Sequence, residues 1–198
     1  MLIRSGALGR VTGARGFVTC RTDADAFRDE WRGSWDSEGG GVLLSRAIHT
    51  LDLMISFLGR PDTVDCVMAN HHLSGVTEVE DTAAVRLTSG SRRGLLYASC
   101  AGAEDDPPIL EIQAEKGCLR LEGASLELRT PQKRETVSCR DYGQGKSGHR
   151  LCIEDFYRSL EKGKPLRIGV ASCADTMNAV LTAYEKGRKA LLSNACSA

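Results

Sequence analysis

Apolar and polar residues alternate with two different periods along this chain, and the change of period separates helices from strands. Between Val42 and Leu58, apolar residues recur every three or four positions, which predicts an amphipathic helix with one face packed on a core. A short strand-like run at residues 17–21 precedes this helix. The apolar positions of the helix are Leu44, Ile48, Leu51 and Ile55.

Beyond residue 62 the period becomes two, which predicts half-buried strands. Short connectors that contain glycine, at residues 89–93 and 122–124, predict hairpin turns between antiparallel neighbours. The alternating apolar positions are Ala83, Val85 and Leu87, then Leu110, Ile112 and Ala114, then Leu119 and Leu121, and then Leu126 and Leu128.

Two helices are predicted to close the chain. The first covers about residues 149–162 and is followed by Gly163 and Pro165, a common signal for the end of a helix. The second covers about residues 172–191 and starts with Ser172, which has an acidic residue three positions later, as in a capping box. The apolar residues of the first helix that we expect to pack are Cys152, Ile153, Phe156 and Leu160.

This order of elements predicts an α+β fold with an open, mainly antiparallel β-sheet and helices packed on one face. The length of 198 residues fits a single domain, residues 1–198. The other face of the sheet would expose apolar side chains, and monomers rarely expose a large apolar patch. The sequence therefore predicts a homodimer, or a higher oligomer, through the open face of the sheet.

Composition excludes several classes of partner. Lys and Arg together number 26, as do Asp and Glu, so we expect neither nucleic acid nor an anionic membrane surface as a partner. The chain has no apolar run long enough to cross a membrane and does not begin like a signal peptide, which predicts a cytoplasmic protein. The eight cysteines are dispersed and form no CxxC pair, which predicts free thiols and no zinc site. His71 and His72 would point to opposite faces of a strand, so no metal site with His49 is expected.

The candidate chemistry lies between Trp31 and Asp52. Three consecutive glycines precede the helix that carries His49, and a backbone without Cβ atoms allows left-handed conformations and the close approach of a ligand. Residues three and four apart on a helix are neighbours, so His49 is within reach of Ser45 and Asp52. The Asp52 carboxylate would orient the imidazole for proton transfer, or else be only a surface or capping group. The glycines of this loop are Gly39, Gly40 and Gly41.

The segment from residue 31 to residue 59, WRGSWDSEGGGVLLSRAIHTLDLMISFLG, resembles the glycine-rich loop and active-site helix of the Gfo/Idh/MocA oxidoreductases. Residues 4–11 (RSGALGRV) resemble the link that leaves the nucleotide domain of that family. Residues 79–87 (VEDTAAVRL) and 110–121 (LEIQAEKGCLRL) resemble strands of its second domain, and residues 148–165 (GHRLCIEDFYRSLEKGKP) resemble its penultimate helix. The resemblance implies the C-terminal substrate and oligomerisation domain of the family, with residues 1–15 as a remnant of the interdomain link.

Members of this family begin with a Rossmann domain, followed by a Glu-Lys-Pro segment whose lysine assists hydride transfer, and this sequence has neither. The glycines before residue 17 lead into a strand-like run, so no helix N-terminus is available to receive a pyrophosphate. The resemblance therefore implies NAD or NADP for a full-length relative and no cofactor bound by this chain alone. The family often has Asp or Asn one turn before the histidine, where this chain has Ser45.

In the family, the residue that corresponds to His49 acts on the substrate. The pattern alone also fits a histidine whose ring makes its hydrogen bonds within the packed layer of the helix. Trp31, Arg32 and Trp35 would line a polyol pocket, with Arg32 donating to hydroxyls or a carboxylate, or they are ordinary core and rim residues. His149 lies where the family often has a pocket-facing Gly-His pair, and a structural cap is the alternative.

Three functions remain open at this point. The first is the substrate-binding and catalytic domain of an NAD(P)-dependent sugar or polyol dehydrogenase, with His49 as general acid or base and the isolated chain inactive. A separate nucleotide-binding domain would then be a partner. The second is a non-catalytic module for oligomerisation or small-molecule binding, which Ser45 favours. The third is part of an NAD-dependent relative that cleaves glycosides.

Overall fold

The structure, a computed structural model, describes residues 3, 5–29, 31–138 and 148–195. Its strands are β1 (Val11–Thr19), β2 (Thr63–Ala69), β3 (Thr82–Ser89), β4 (Arg92–Ser99), β5 (Ile109–Ala114), β6 (Gly117–Glu122), β7 (Ser125–Arg129) and β8 (Arg134–Ser138). Its α-helices are α1 (Ile48–Leu58), α2 (Gly148–Lys162) and α3 (Val170–Ala195). A short 3-10 helix covers Ala24–Phe27, and a π-helical turn, Leu43–Ala47, leads into α1.

The strands form one sheet in the order β2-β3-β4-β1-β5-β6-β7-β8. Neighbouring strands are antiparallel except β1 and β4, which run parallel. The two predicted hairpins join β3 to β4 and β6 to β7. This arrangement confirms the predicted α+β fold with an open, mainly antiparallel sheet. Because β1 starts at Val11, residues 11–15 of the predicted link belong to a central strand.

Helices α1 and α3 cover one face of the sheet. The predicted apolar stripe is confirmed along α1 and the π-helical turn before it, since Leu51 and Ile55 are buried and Leu44 and Ile48 are half-buried. A Cβ on Gly16 of β1 would lie 2.9 Å from the Leu96 side chain of β4 and about as close to α1, so this glycine lets the helix lie close to the sheet. The inner face of the strands and the buried faces of α1 and α3 therefore form the core.

Helix α2 has the predicted bounds but not the predicted packing. Gly163 ends it with a φ of 58°, the left-handed conformation expected there. The expectation that its apolar residues pack within the chain is wrong, because they are exposed and the only buried residue of α2 is Ser159. Helical periodicity shows which residues share a face, but it does not show what covers that face. The exposed residues are Cys152, Ile153, Phe156 and Leu160.

The described cysteines are free thiols, as predicted, and Cys139 and Cys196 lie outside the described residues. Among the helices that the structure describes, none combines the length and the apolar character that a membrane crossing requires. The free cysteines are Cys20, Cys66, Cys100, Cys118, Cys152 and Cys173.

Candidate functional site

The three glycines before α1 lie against the core of the protein itself. Gly39 has a φ of 80°, in the left-handed region that favours glycine. A Cβ on Gly40 would lie 2.0 Å from the hydroxyl oxygen of Tyr184, and one on Gly41 would lie 1.8 Å from the carbonyl oxygen of Glu80. In this structure, Tyr184 and Glu80 therefore make the close approach that the sequence suggested for a ligand.

Glu80 holds the glycine loop in place and is only 1% exposed. Its Oε2 accepts a hydrogen bond from the Gly41 amide at 2.9 Å, and its Oε1 accepts bonds from the Leu43 amide at 3.0 Å and the Tyr184 hydroxyl at 3.1 Å. Burial raises the pKa of Glu80, although these hydrogen bonds act in the opposite direction. Burial and the Glu80 charge also raise the pKa of Tyr184. One buried side chain thus joins the loop, the first turn of the helix and α3.

The turn between the loop and α1 is π-helical, and such turns occur frequently at functional sites. Ser45 lies on this turn, where its hydroxyl donates to the Gly41 carbonyl oxygen at 2.8 Å. The Ser45 hydroxyl is therefore engaged with the glycine loop and does not orient His49.

His49 lies on the exposed side of α1. Within the described part of the chain its ring makes no hydrogen bond or ion pair. The Asp52 carboxylate instead accepts a hydrogen bond from the Thr176 hydroxyl at 2.6 Å, which ties α1 to α3. An imidazole can both accept and donate a proton, so His49 can exchange protons with a molecule bound from the solvent side.

Arg32 is engaged with its own loop. Its Nη1 donates to the Ala26 carbonyl at 2.8 Å, and its Nη2 lies 3.8 Å from Oε1 of Glu38. The guanidinium carbon lies 5.1 Å from the centre of the Phe27 ring and 5.8 Å from that of Trp31. Trp31 itself is 56% exposed, so its ring is free to contact a ligand or another surface.

Trp35 anchors the loop to α3. Its indole Nε1 donates to the Glu78 carbonyl at 3.0 Å, and its ring meets Tyr184 edge to face with centroids 5.4 Å apart. The guanidinium of Arg188 lies over the same ring at 4.7 Å. These contacts occupy the indole, which fits the structural alternative for Trp35 better than a polyol wall.

His149 is the second residue of α2 and is exposed. Among the residues that the structure describes, its ring has no hydrogen-bonding partner. It does not cap the helix by a side-chain bond to any described residue, and neither role suggested for His149 is supported by a contact.

A small cavity lies between the glycine loop and the ends of β1 and β4. Its volume of about 30 Å³ holds about two water molecules. Of the predicted site residues it brings together Arg32, Gly41 and Ser45, whereas His49, Asp52, Trp31, Trp35 and His149 do not line it. The remaining lining residues are Thr22, Phe27, Glu38, Val42, Arg46, Leu73, Thr77, Val79, Glu80 and Cys100.

Two residues of this region were missed from the sequence. Glu80 precedes β3 beside Asp81, and adjacent acids before a strand were the available signal for a buried carboxylate. Arg46 lies three residues before His49, a spacing that places both on neighbouring helix positions.

In the regions that the structure covers, no group of three or more His, Cys, Asp or Glu residues is placed to hold a metal ion. The backbone amides of His71 and His72 both donate to Oδ2 of Asp81, at 2.8 and 2.6 Å. The His72 ring lies 3.1 Å from the Thr22 carbonyl oxygen. The histidine pair therefore contributes to a loop around a buried carboxylate.

Several solved structures resemble this chain at low sequence identity. They include an aldose-aldose oxidoreductase from Caulobacter crescentus complexed with glycerol, with a TM-score of 0.81, 18% identity, and coverage of 96% of this chain and 57% of that one. An oxidoreductase from Agrobacterium radiobacter in complex with NAD+, L-tartaric acid and magnesium has a TM-score of 0.78 and 18% identity, over 94% of this chain and 57% of that one. The WlbA dehydrogenase from Bordetella pertussis, in complex with NADH and UDP-GlcNAcA, has a TM-score of 0.78 and 19% identity, over 96% of this chain and 58% of that one.

At these identities the structural likeness shows the fold, and this chain spans less than two thirds of each of those proteins. No curated protein matches the chain by sequence. The family profile described as the GFO/IDH/MocA C-terminal domain matches residues 1–120, more than half of the chain. The chain therefore belongs to the GFO/IDH/MocA family and carries its C-terminal domain.

Proposed function

We propose that this chain is the substrate-binding and catalytic domain of an NAD(P)-dependent oxidoreductase that acts on a sugar or polyol. The observation that carries the proposal is the position of His49, which follows the glycine loop on α1 with its ring exposed and unbonded to other described residues. Family membership supports the proposal, as do similar structures determined with NAD+ or NADH and with UDP-GlcNAcA or glycerol.

In this function His49 takes the proton from the reacting hydroxyl, or returns it in the reverse direction. A bound nicotinamide supplies the hydride chemistry. The sequence lacks the glycine pattern of a dinucleotide site, so we place the NAD(P) site on a nucleotide-binding domain that joins this one, in the same polypeptide or as a separate chain. The exposed apolar side of α2, with Phe156 45% and Leu160 63% exposed, supports a covering partner there.

The proposal is tested by calorimetry and by the coding DNA. Titration of the purified chain with NAD+ and NADP+ is expected to give no binding, and appreciable affinity would contradict the assigned location of the cofactor site. In-frame coding sequence upstream of Met1 that encodes a dinucleotide fingerprint and a Glu-Lys-Pro segment would support the dehydrogenase. In that longer protein His49→Gln should lower kcat by about 10²–10⁴-fold, whereas Asp52→Asn should act mainly on stability.

A second function, a non-catalytic module, is favoured by one specific observation. Neither predicted partner of the histidine orients it, because Ser45 bonds to Gly41 and Asp52 bonds to Thr176. A stop codon directly upstream of Met1, together with absence of sugar or polyol binding, would favour this module over the oxidoreductase.

We also propose that the chain forms a homodimer, or a higher oligomer, through the open face of the sheet. Support comes from apolar side chains on adjacent strands of that face: Phe17 is 41% exposed, Leu95 52% and Val67 67%. Light scattering at micromolar concentration should give at least twice the mass of one chain. Leu95→Glu should halve that mass, while Leu181→Glu on α3, 61% exposed, serves as the control. A monomeric wild type would refute the proposal.

We also propose a cytoplasmic location. The free thiols among the described cysteines support it, because reducing compartments keep cysteines unpaired.

A further inference from the structure

The polar and charged residues near His49 in sequence do not hold its ring in one orientation. The carboxylate of Asp52 accepts from Thr176, and the residue one turn before the histidine is Ser45, which bonds to the glycine loop. Two charged residues lie three positions from His49 in sequence, Arg46 before it and Asp52 after it. Because Asp52 is engaged by Thr176, the charge that is left beside the candidate acid–base group for a bound molecule is the cation of Arg46.

Arg46 is exposed and, among the residues that the structure describes, has no hydrogen bond and no ion pair. It also lines the small cavity at the ends of β1 and β4. Burial raises the pKa of the Cys20 thiol, and the charge of Arg46 acts in the opposite direction. Arg46 thus lies between the cavity and the exposed side of α1.

The other charged residues of the cavity are already engaged. Glu38 accepts from the Gly33 amide at 2.6 Å and faces Arg32 at 3.8 Å. Glu80 accepts hydrogen bonds from two amides and a hydroxyl. Of the charged side chains that line the described cavity, Arg46 is the one left without such a partner.

We propose that Arg46 binds the carboxylate of the substrate while His49 faces one of its hydroxyl groups, so that the substrate is a polyhydroxy acid, such as a sugar acid, and not a neutral sugar or polyol. This inference rests on the proposed function and narrows its substrate class. Arg46 lies on the π-helical turn that continues into α1, and His49 lies in the first turn of α1, so both side chains leave one continuous helical segment and one small hydroxy acid can reach both.

The chemistry of the side chain favours a carboxylate. A guanidinium stays protonated and presents its donors in a planar fork that matches the two oxygens of a carboxylate. A neutral hydroxyl cannot engage the fork in this way, so the charged group distinguishes a sugar acid from the corresponding sugar. Phosphate fits the same fork, and the test therefore includes it.

The test follows the ring signals of His49 by two-dimensional NMR in the purified chain. A His49→Gln variant identifies the His49 signals among those of the four histidines. The probes are D-glucuronate and D-glucose, which differ by a carboxylate in place of a hydroxymethyl group, and D-glucose 6-phosphate. Glucuronate should shift the His49 signals saturably, with an affinity at least about tenfold higher than that of glucose.

Three variants isolate the guanidinium. Arg46→Gln should weaken glucuronate binding about tenfold, and Arg46→Lys should lose less because it keeps the charge but not the fork. Arg158→Gln is the matched control, since Arg158 is exposed on α2 and has no ion pair or hydrogen bond with the described residues. It should bind like the wild type. Circular dichroism of each variant should remain unchanged because Arg46 makes no bond within the described fold.

The possible results separate this inference from the proposed function. Equal affinity for glucose and glucuronate, or an Arg46→Gln variant that binds glucuronate normally, overturns the inference and leaves the oxidoreductase assignment standing. Tighter binding of glucose 6-phosphate than of glucuronate overturns the choice of carboxylate. If no probe shifts the His49 signals, the inference fails together with the assignment of His49 to a substrate site.

Discussion

The substitution Gly41→Ala tests why a triple-glycine loop precedes the helix of His49. The sequence suggested that a ligand approaches these glycines, whereas the structure places the Glu80 backbone there. An added Cβ would lie 1.8 Å from the Glu80 carbonyl oxygen and 3.0 Å from Oε2 of the same residue. An ordinary carbon–oxygen contact is about 3.3 Å or longer, so the two backbone segments would have to separate by about 1.5 Å.

That separation breaks hydrogen bonds of known geometry. The Val42 amide donates to the Glu80 carbonyl oxygen at 3.1 Å, and the Gly41 amide donates to the Glu80 carboxylate at 2.9 Å. Leaving a buried donor unsatisfied costs about 1–3 kcal/mol. Loss of both bonds should therefore lower the free energy of unfolding by about 2–6 kcal/mol, a large part of the total for a domain of this size.

Urea denaturation followed by circular dichroism measures this change. Gly148→Ala is the control because a Cβ at that position meets no atom of the described residues within 4 Å, and its unfolding free energy should stay within about 0.5 kcal/mol of the wild type. A Gly41→Ala variant that is as stable as the control would refute the packing explanation. Wild-type stability combined with lost ligand binding would instead support the approach of a ligand.

Substitutions of two buried carboxylates, Glu80 and Glu111, test how each contributes to stability as the pH changes. Burial raises the pKa of Glu80 above its ordinary 4.5, so its contribution to stability is complete below about pH 4.5 and is lost as the pH rises through the raised value. The Glu80→Gln variant should not lose stability in this way as the pH rises. A wild type that becomes more stable than the variant over the same pH range would contradict the raised pKa of Glu80. Burial also raises the pKa of Glu111, but hydrogen bonds and charges of Arg15 and Arg120 lower it more, so its contribution is lost as the pH falls through the lowered value. Glu111→Gln should abolish this loss of stability at acid pH. Glu111→Ala should lower the free energy of unfolding by about 2 kcal/mol near neutral pH, less than the loss of a fully buried ion pair because the Arg15 side chain is 57% exposed. Urea midpoints equal to that of the wild type would argue against a stabilising ion pair.

Local patterns were sufficient for the elements themselves. The spacing of Leu51 and Ile55 identified the buried side of α1, because helical period is a property of neighbouring residues. The turn residues between β3 and β4 identified their hairpin for the same reason. The loop and helix of His49 were also recognisable, since their residues are contiguous in sequence.

Packing between distant segments was not predictable in this way. The insertion of β1 between β4 and β5 depends on pairing across about eighty residues, which no local period encodes. The apolar face of α2 was predicted correctly, but whether that face is buried depends on which other elements of the fold pack against it.

The sequence by itself therefore determined the type and order of the elements, the helix that carries His49 and the family to which the chain belongs. Only the tertiary structure decided the partners of the candidate site residues. Glu80 lies 39 residues from Gly41, and Thr176 lies 124 residues from Asp52, yet each pair shares a hydrogen bond. Side-chain hydrogen bonds act over about 3 Å, so they depend on how separate elements come together in space and not on spacing along the chain.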